Sequence, residues 1–205
     1  MTTPPASLST RPAPRGVRAF RLAAVLVPAL LVSALLLQRP EPALAQKMPV
    51  LPPTPGHKVG SLAHDFVLKD LNGNKYSLKD MRGQRVVQVV FWATWCVPCL
   101  QEVPHLKETY AKYRDRGFQV LGIVVEMNQS PDVVRAVAHD LKVNYPILWD
   151  EGGAVQDRYR VSYIPQNFLV GKDGIIRYAG NSLPDNYEAL VESLLKDGDT
   201  RPASR

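Results

Sequence analysis

Val86-Val87-Gln88-Val89-Val90-Phe91-Trp92-Ala93-Thr94-Trp95-Cys96-Val97-Pro98-Cys99 holds both cysteines of the 205-residue chain. Its first half, Val86 to Trp92, is a nearly continuous apolar run, the pattern of a strand buried on both faces. From Val97 the period changes, and Leu100, Val103, Leu106 and Tyr110 fall on one face of a helix. A strand that hands a CxxC to the first turn of a helix is a device for reversible dithiol–disulfide chemistry. The helix start offers unpaired N–H groups and a partial positive charge, and both favour a thiolate over a thiol. Such seats bring cysteine pKa values from about 8.5 down to ~3.5–7.5. Cys96 is expected to be the exposed nucleophile and Cys99, one turn inside, the resolving thiol.

Other uses of two cysteines fit less well. A zinc site needs two more Cys or His ligands at finger-like spacing, and the sequence has no second CxxC and no HxxxH. A purely structural bridge would close a very short loop, with little gain in chain entropy. His57, His64, His105 and His139 stand isolated, without carboxylate or cysteine neighbours at ligand spacing, so none is expected to bind metal. Trp92 and Trp95 are expected to pack, Trp95 also shielding the edge of the disulfide.

Upstream, residues 1–45 have the pattern of export machinery. Arg11, Arg15, Arg18 and Arg21 form a basic region, Leu22 to Leu37 is a run of apolar and small residues, and Ala43-Leu44-Ala45 gives a cleavage signature. The run is shorter than the about 20 residues of a spanning helix, which suits a signal peptide; an uncleaved N-terminal membrane anchor is the alternative. Of 25 basic and 19 acidic residues in the chain, residues 1–45 hold five arginines and one glutamate, which leaves 20 against 18. The basic balance therefore belongs to targeting, and no nucleic-acid role is expected. Residues 46–60 are proline-dense and read as an extended linker. Residues 61–197 are one domain's worth of chain, enough to bury a core, and 198–205 form a polar tail.

Within the domain, Phe66-Val67-Leu68 and Tyr76-Ser77-Leu78 flank Asn72-Gly73, the signature of a hairpin with a primed turn. Phe118 to Val125 is a second buried strand. Pro131 opens a helix to about Leu141, with Val133, Val134, Val137 and Leu141 expected inward. Ile147 to Trp149 is a short strand and Gly153 to Tyr159 a short helix. Phe168 to Val170 and Ile175 to Tyr178 flank Lys172-Asp173-Gly174 as a second hairpin, and Pro184 to Leu195 closes the domain as a helix. Pro104 is expected to kink the helix that carries the cysteines. This order predicts an α/β domain: a mixed sheet covered by helices, parallel in the middle and antiparallel at one side.

Phe91 to Cys99, with Pro104 five residues on, resembles the active-site helix of thioredoxin-fold proteins. Tyr159-Arg160-Val161-Ser162-Tyr163-Ile164-Pro165-Gln166-Asn167 resembles the segment that carries that fold's cis-proline. With the leading hairpin, the helix inserted before Pro146 and the signal sequence, the chain is similar to the TlpA/ResA-like thiol–disulfide oxidoreductases of bacterial cell envelopes, within the redoxin superfamily. The resemblance implies a thioredoxin-like three-layer sandwich with an N-terminal β-hairpin extension and a cis Ile164–Pro165 bond beside Cys96 and Cys99. Trp95, Val97, Pro98 and Ile164 then flank the site. Glu102 matches a glutamate near the cysteines of ResA-like members, which implies a carboxylate able to accept or relay a proton; a solvated helix charge is the alternative. Glu126, after the second central strand, is a weaker candidate. Thioredoxins carry a buried aspartate six residues before the first cysteine, and Val90 stands there instead.

The function expected is an exported reductase of disulfides in envelope proteins, acting in the periplasm or on the outer face of the inner membrane, with no cofactor beyond the cysteine pair. Val97-Pro98 carries no histidine or cation to over-stabilise the thiolate, which argues for a reductant. Two cysteines hold no further electrons, so an inner-membrane thiol donor is an expected partner, and the membrane is met only through the N-terminal segment if it is uncleaved. Apocytochrome c is a client by family analogy, although Gln166 replaces the acidic residue typical after the cis-proline of dedicated cytochrome-maturation members. Two alternatives stand. A peroxiredoxin-like peroxidase would want its threonine three residues before the cysteine, where Thr94 is two before Cys96. A copper-delivery or redox-dead module of this fold would prefer CxxxC and a distant histidine.

Overall fold

The computed structural model describes residues 54–197. The stretch read as signal peptide or anchor, the start of the linker and the 198–205 tail lie outside them. In chain order the elements are β1 (Pro55–Gly56), β2 (Leu62–Ala63), β3 (Val67–Asp70), β4 (Lys75–Ser77), α1 (Leu78–Met81), β5 (Val86–Trp92), α2 (Val97–Tyr113), β6 (Phe118–Val124), α3 (Pro131–Asp140), β7 (Ile147–Trp149), α4 (Ala154–Arg158), β8 (Gln166–Val170), β9 (Ile176–Gly180) and α5 (Tyr187–Asp197). Seven strands form one sheet in the order β4-β3-β7-β6-β5-β8-β9. No helix among the described residues is long and apolar enough to cross a membrane.

The middle of the sheet is parallel, β5 against β6 and β6 against β7. Antiparallel strands lie at both sides, not one as the sequence suggested: β8 and β9 extend β5, while the leading hairpin joins the other edge through β3 on β7. Along β5 every residue is buried, and alternate side chains enter opposite cores. Val86, Val90 and Trp92 pack with Leu106 and Tyr113 of α2, Val134 of α3 and Val191 of α5. Val87, Val89 and Phe91 pack with Leu78 of α1 and Val155 of α4. This is the three-layer arrangement the central apolar run requires, since a strand buried on both faces needs a helical layer over each.

Local expectations are corrected at several points. The β3–β4 turn is not a two-residue primed turn. Asp70 and Asn74 pair by a backbone hydrogen bond of 2.9 Å around a three-residue loop, with Gly73 at φ +88°. The Asp70 carboxylate accepts the N–H groups of Asn72 and Asn74, each at 2.8 Å, which favours this longer loop. On α3 only Val134 is fully buried and Val133 faces solvent, because the helix packs on the core by a narrow stripe. The last helix starts at Tyr187, three residues late, because the Tyr187 N–H is spent on a turn to Pro184 O. Pro104 lies on the exposed side of α2, and the helix runs on through it. Residues 54–60, read as the end of the linker, hold β1 in parallel pairing with β2, and Gly60 N donates to Ile176 O.

Candidate active site

Cys96 is the N-cap of α2 and Cys99 lies in its first turn. The two form a disulfide with S–S 2.09 Å. The Cys99 N–H points at Cys96 Sγ, 3.3 Å away. One of the orphan donors of the helix start is thus aimed at the first sulfur, where it would meet a thiolate in the reduced protein. Pro98 follows within the same turn and, having no N–H, leaves no donor of its own unsatisfied.

One expectation about exposure is reversed. Cys96 is only 5% exposed, against 3% for Cys99, and both belong to the core under α2. The surface belongs to their neighbours: Trp95 is 49% exposed and Val97 63%. Trp95 is not packed in the core as Trp92 is. Its indole N–H instead donates to the carbonyl of Met127 at 2.9 Å, which pins the ring beside the disulfide. The loop carrying Met127 is held in turn by Gln129, whose Oε1 accepts the backbone N–H (3.0 Å) and hydroxyl (2.8 Å) of Thr94 and whose Nε2 donates to Val125 O.

The Ile164–Pro165 peptide is cis, and Pro165 is buried at the start of β8. Pro165, Pro98 and Glu102 line one groove of about 740 Å³, which continues along α2 past His105 and Glu108 toward α5. Ile164 is half-buried and packs against both cores. A stretch of backbone without an N–H at Pro165 therefore borders the same concavity as the CxxC, where an extended peptide could lie.

Glu102 lies one turn beyond Cys99 on α2, in i,i+3 register with it. Its carboxylate is not a solvated helix charge. Oε2 accepts from Asn167 Nδ2 at 3.0 Å and Oε1 from the Leu183 N–H at 2.9 Å. Burial pushes its pKa above the ordinary carboxylate value, and these two donors, with His105 nearby, oppose that rise. Asn167 is in turn fixed by Gln88, whose Nε2 donates to Asn167 Oδ1 at 2.8 Å. Glu126 does not join them: its Oε2 accepts the Gly152 N–H at 2.9 Å. His57 and His64, isolated in sequence, meet in a surface concavity with Lys58, Arg158 and Arg160, which shares no lining residue with the groove.

Gln88 and Asn167 are the functional-site residues that the sequence alone did not single out. The signal was present for Gln88, a polar residue in the middle of an otherwise apolar strand. Asn167 had none of its own, because two residues after a proline it reads as part of the strand.

A sheet that delivers a dithiol to a helix start beside a cis-proline defines a thioredoxin-fold redox protein, and the comparisons agree. Residues 59–179 match the model of the AhpC/TSA family, and the chain belongs to that family. It is 30% identical over 139 residues to the thiol-disulfide oxidoreductase ResA of Bacillus cereus, covering 67% of this chain and 79% of that protein. Its identity to ResA of Bacillus subtilis is 31% over 142 residues, covering 69% and 78%. Among solved structures it is similar to one described as a thiol:disulfide interchange protein DsbE of Chlorobium tepidum, with TM-score 0.59, 26% identity, and 69% and 97% of the two chains covered. It is also similar to StoA of Bacillus subtilis, with TM-score 0.55, 26% identity, and 65% and 97% covered. The protein is a ResA/TlpA-like thiol–disulfide oxidoreductase.

Proposed function

We propose that this chain is an exported reductase of disulfides in cell-envelope proteins, apocytochrome c among the candidate clients. The observation that carries this is the seat of Cys96, capping α2 with the Cys99 N–H directed at its sulfur. Reduced Cys96 attacks one sulfur of a client disulfide as a thiolate. The client S–S bond breaks, a mixed disulfide forms, and the other client sulfur leaves as a thiolate that takes a proton from solvent. Cys99 then gives up its proton and attacks Cys96 Sγ. The second client sulfur leaves, and the Cys96–Cys99 bond forms. Two electrons have passed to the client. A thiol donor reaching the outer face of the inner membrane returns them by the same exchange, because cytosolic reductants do not reach an exported domain.

Glu102 is the group proposed to receive the Cys99 proton. It lies one helical turn away, and its raised pKa brings it closer to the range where proton exchange is efficient. Pro165 offers backbone to the client's extended segment. Export rests on the basic and apolar pattern of residues 1–45.

The test is trapping. Cys99→Ala expressed in the envelope should accumulate mixed disulfides through Cys96, and Cys96→Ser should abolish reduction of insulin by the purified protein. Recovery of apocytochromes on the trap would select cytochrome maturation, and recovery of many unrelated proteins would select general repair. An empty trap would remove the proposal.

A further inference from the structure

Glu102 is reached by a polar chain that crosses the α2-side core. Gln88 lies in the centre of β5 and Asn167 at the paired edge of β8, and both are fully buried. The direction of the chain is fixed by its chemistry. Gln88 Nε2 donates to Asn167 Oδ1, with a second, longer contact to Val89 O at 3.3 Å. With its oxygen occupied by that donor, the Asn167 amide has to present Nδ2 to Glu102. A flipped amide would set Oδ1 against a carboxylate oxygen and leave two amide donors facing each other. The Leu183 N–H is the other partner of Glu102, so both groups bonded to this carboxylate are donors. Donors stabilise the ionised form more than a protonated one, which gives up one acceptor oxygen to its proton.

We infer that Asn167, oriented by Gln88, is the positioning residue that sets the proton affinity of Glu102. This rests on the proposal that Glu102 takes the Cys99 proton. The remaining groups around Glu102 do not account for it. His105 on α2 opposes the rise more weakly than either donor. Tyr145, before β7, and Tyr187, on α5, are buried phenols whose pKa values burial raises, so they stay neutral. Asp185 and Glu108 line the groove, as does Lys112, which is paired with Glu188.

The experiment follows the Glu102 carboxyl in the full chain by carbon NMR after ¹³C-glutamate labelling. The resonance is identified by its loss in Glu102→Gln. Asn167→Ala should move the titration midpoint up by ~0.5–1 pH unit, the size expected for one charge-assisted hydrogen bond partly replaced by water. Should that variant not fold, Gln88→Leu/Asn167→Leu replaces both amides by apolar groups of like volume and should give the same upward shift. The pH profile of insulin reduction should follow the carboxyl, and it should show no shift from Asn167→Ala in a Glu102→Gln background. An unmoved carboxyl in a folded variant overturns the inference. A moved carboxyl with an unmoved pH profile confirms the clamp and rejects the relay role of Glu102 instead.

Discussion

A carboxyl group held half-inside a protein has a stability signature of its own, and Glu102 should show it. Burial raises its folded-state pKa above the ordinary 4.5, against the pull of Asn167 and Leu183. In that window the folded state binds more protons than the unfolded one, so this group's contribution to stability is fully present at acid pH and falls as pH climbs through the raised value. Glu102→Gln removes the titration. Urea midpoints measured between about pH 4 and 8 should therefore fall less steeply for the variant than for the wild type. Equal slopes would show that Glu102 ionises as freely folded as unfolded. Beside it, Cys96 shows what residue-level reasoning sees and misses. Its place in a CxxC after a buried strand fixed its chemistry, but not its exposure. How far a sulfur is covered depends on the core it joins, with Trp92 of β5, Val124 of β6 and the side chains of α2, which come together only in three dimensions.

Among the elements, α2 and α3 allow opposite predictions from similar starts. Each begins at a capping side chain with a proline just inside: Cys96 and Pro98 in α2, Ser130 and Pro131 in α3. On α3 the cap is structural only. Ser130 Oγ accepts the Val133 N–H at 3.4 Å, so Ser130→Ala should cost about 1 kcal/mol in denaturant unfolding and leave insulin reduction per folded molecule unchanged. On α2 the cap is the chemistry. Pro98→His puts a titratable cation beside the Cys96 sulfur and stabilises the reduced thiolate. The potential should become more oxidising by on the order of 30 mV, the equivalent of 1.4 kcal/mol, in a glutathione equilibrium. A potential that does not move would mean the helix terminus alone sets it. The elements themselves were legible because their periods are clean: β5 and β6 start where the apolar runs start, and the cysteine helix begins at Val97. Helix faces and turn types were less so. Val133 and Val134 are identical in sequence, and only the packing angle of α3 decides which one is buried.

At the scale of the whole molecule, the parallel centre of the sheet has to close over a large indole without a void, and Gly122 of β6 is where this succeeds. A Cβ there would lie 2.9 Å from Ile147 Cδ1, 3.2 Å from Trp92 Nε1 and 3.3 Å from a Tyr145 ring carbon, so side chains from β5, β7 and the segment before β7 meet over one missing methyl. No local pattern marks this glycine. It stands inside an apolar strand where any small residue would satisfy the period, and its backbone φ is not of the left-handed kind that would force the choice. The long-range strand order was equally invisible: the leading hairpin reaches β7, far along the chain, and so makes both edges of the sheet antiparallel. Gly122→Ala is therefore a test of the assembled core rather than of any element. Ile147 can give at its flexible end, whereas Trp92 and Tyr145 are rings seated in the core. Overpacking of this kind costs about 1–3 kcal/mol, and the loss should appear as a lower urea midpoint with an unchanged m-value. Neither cysteine is among the nearest neighbours of that missing methyl, so insulin reduction by the folded fraction should match the wild type. A variant as stable as the wild type would mean the three neighbours relax together. A folded variant with impaired turnover would instead show that strain at the sheet centre is transmitted through Trp92 to the cysteine turn.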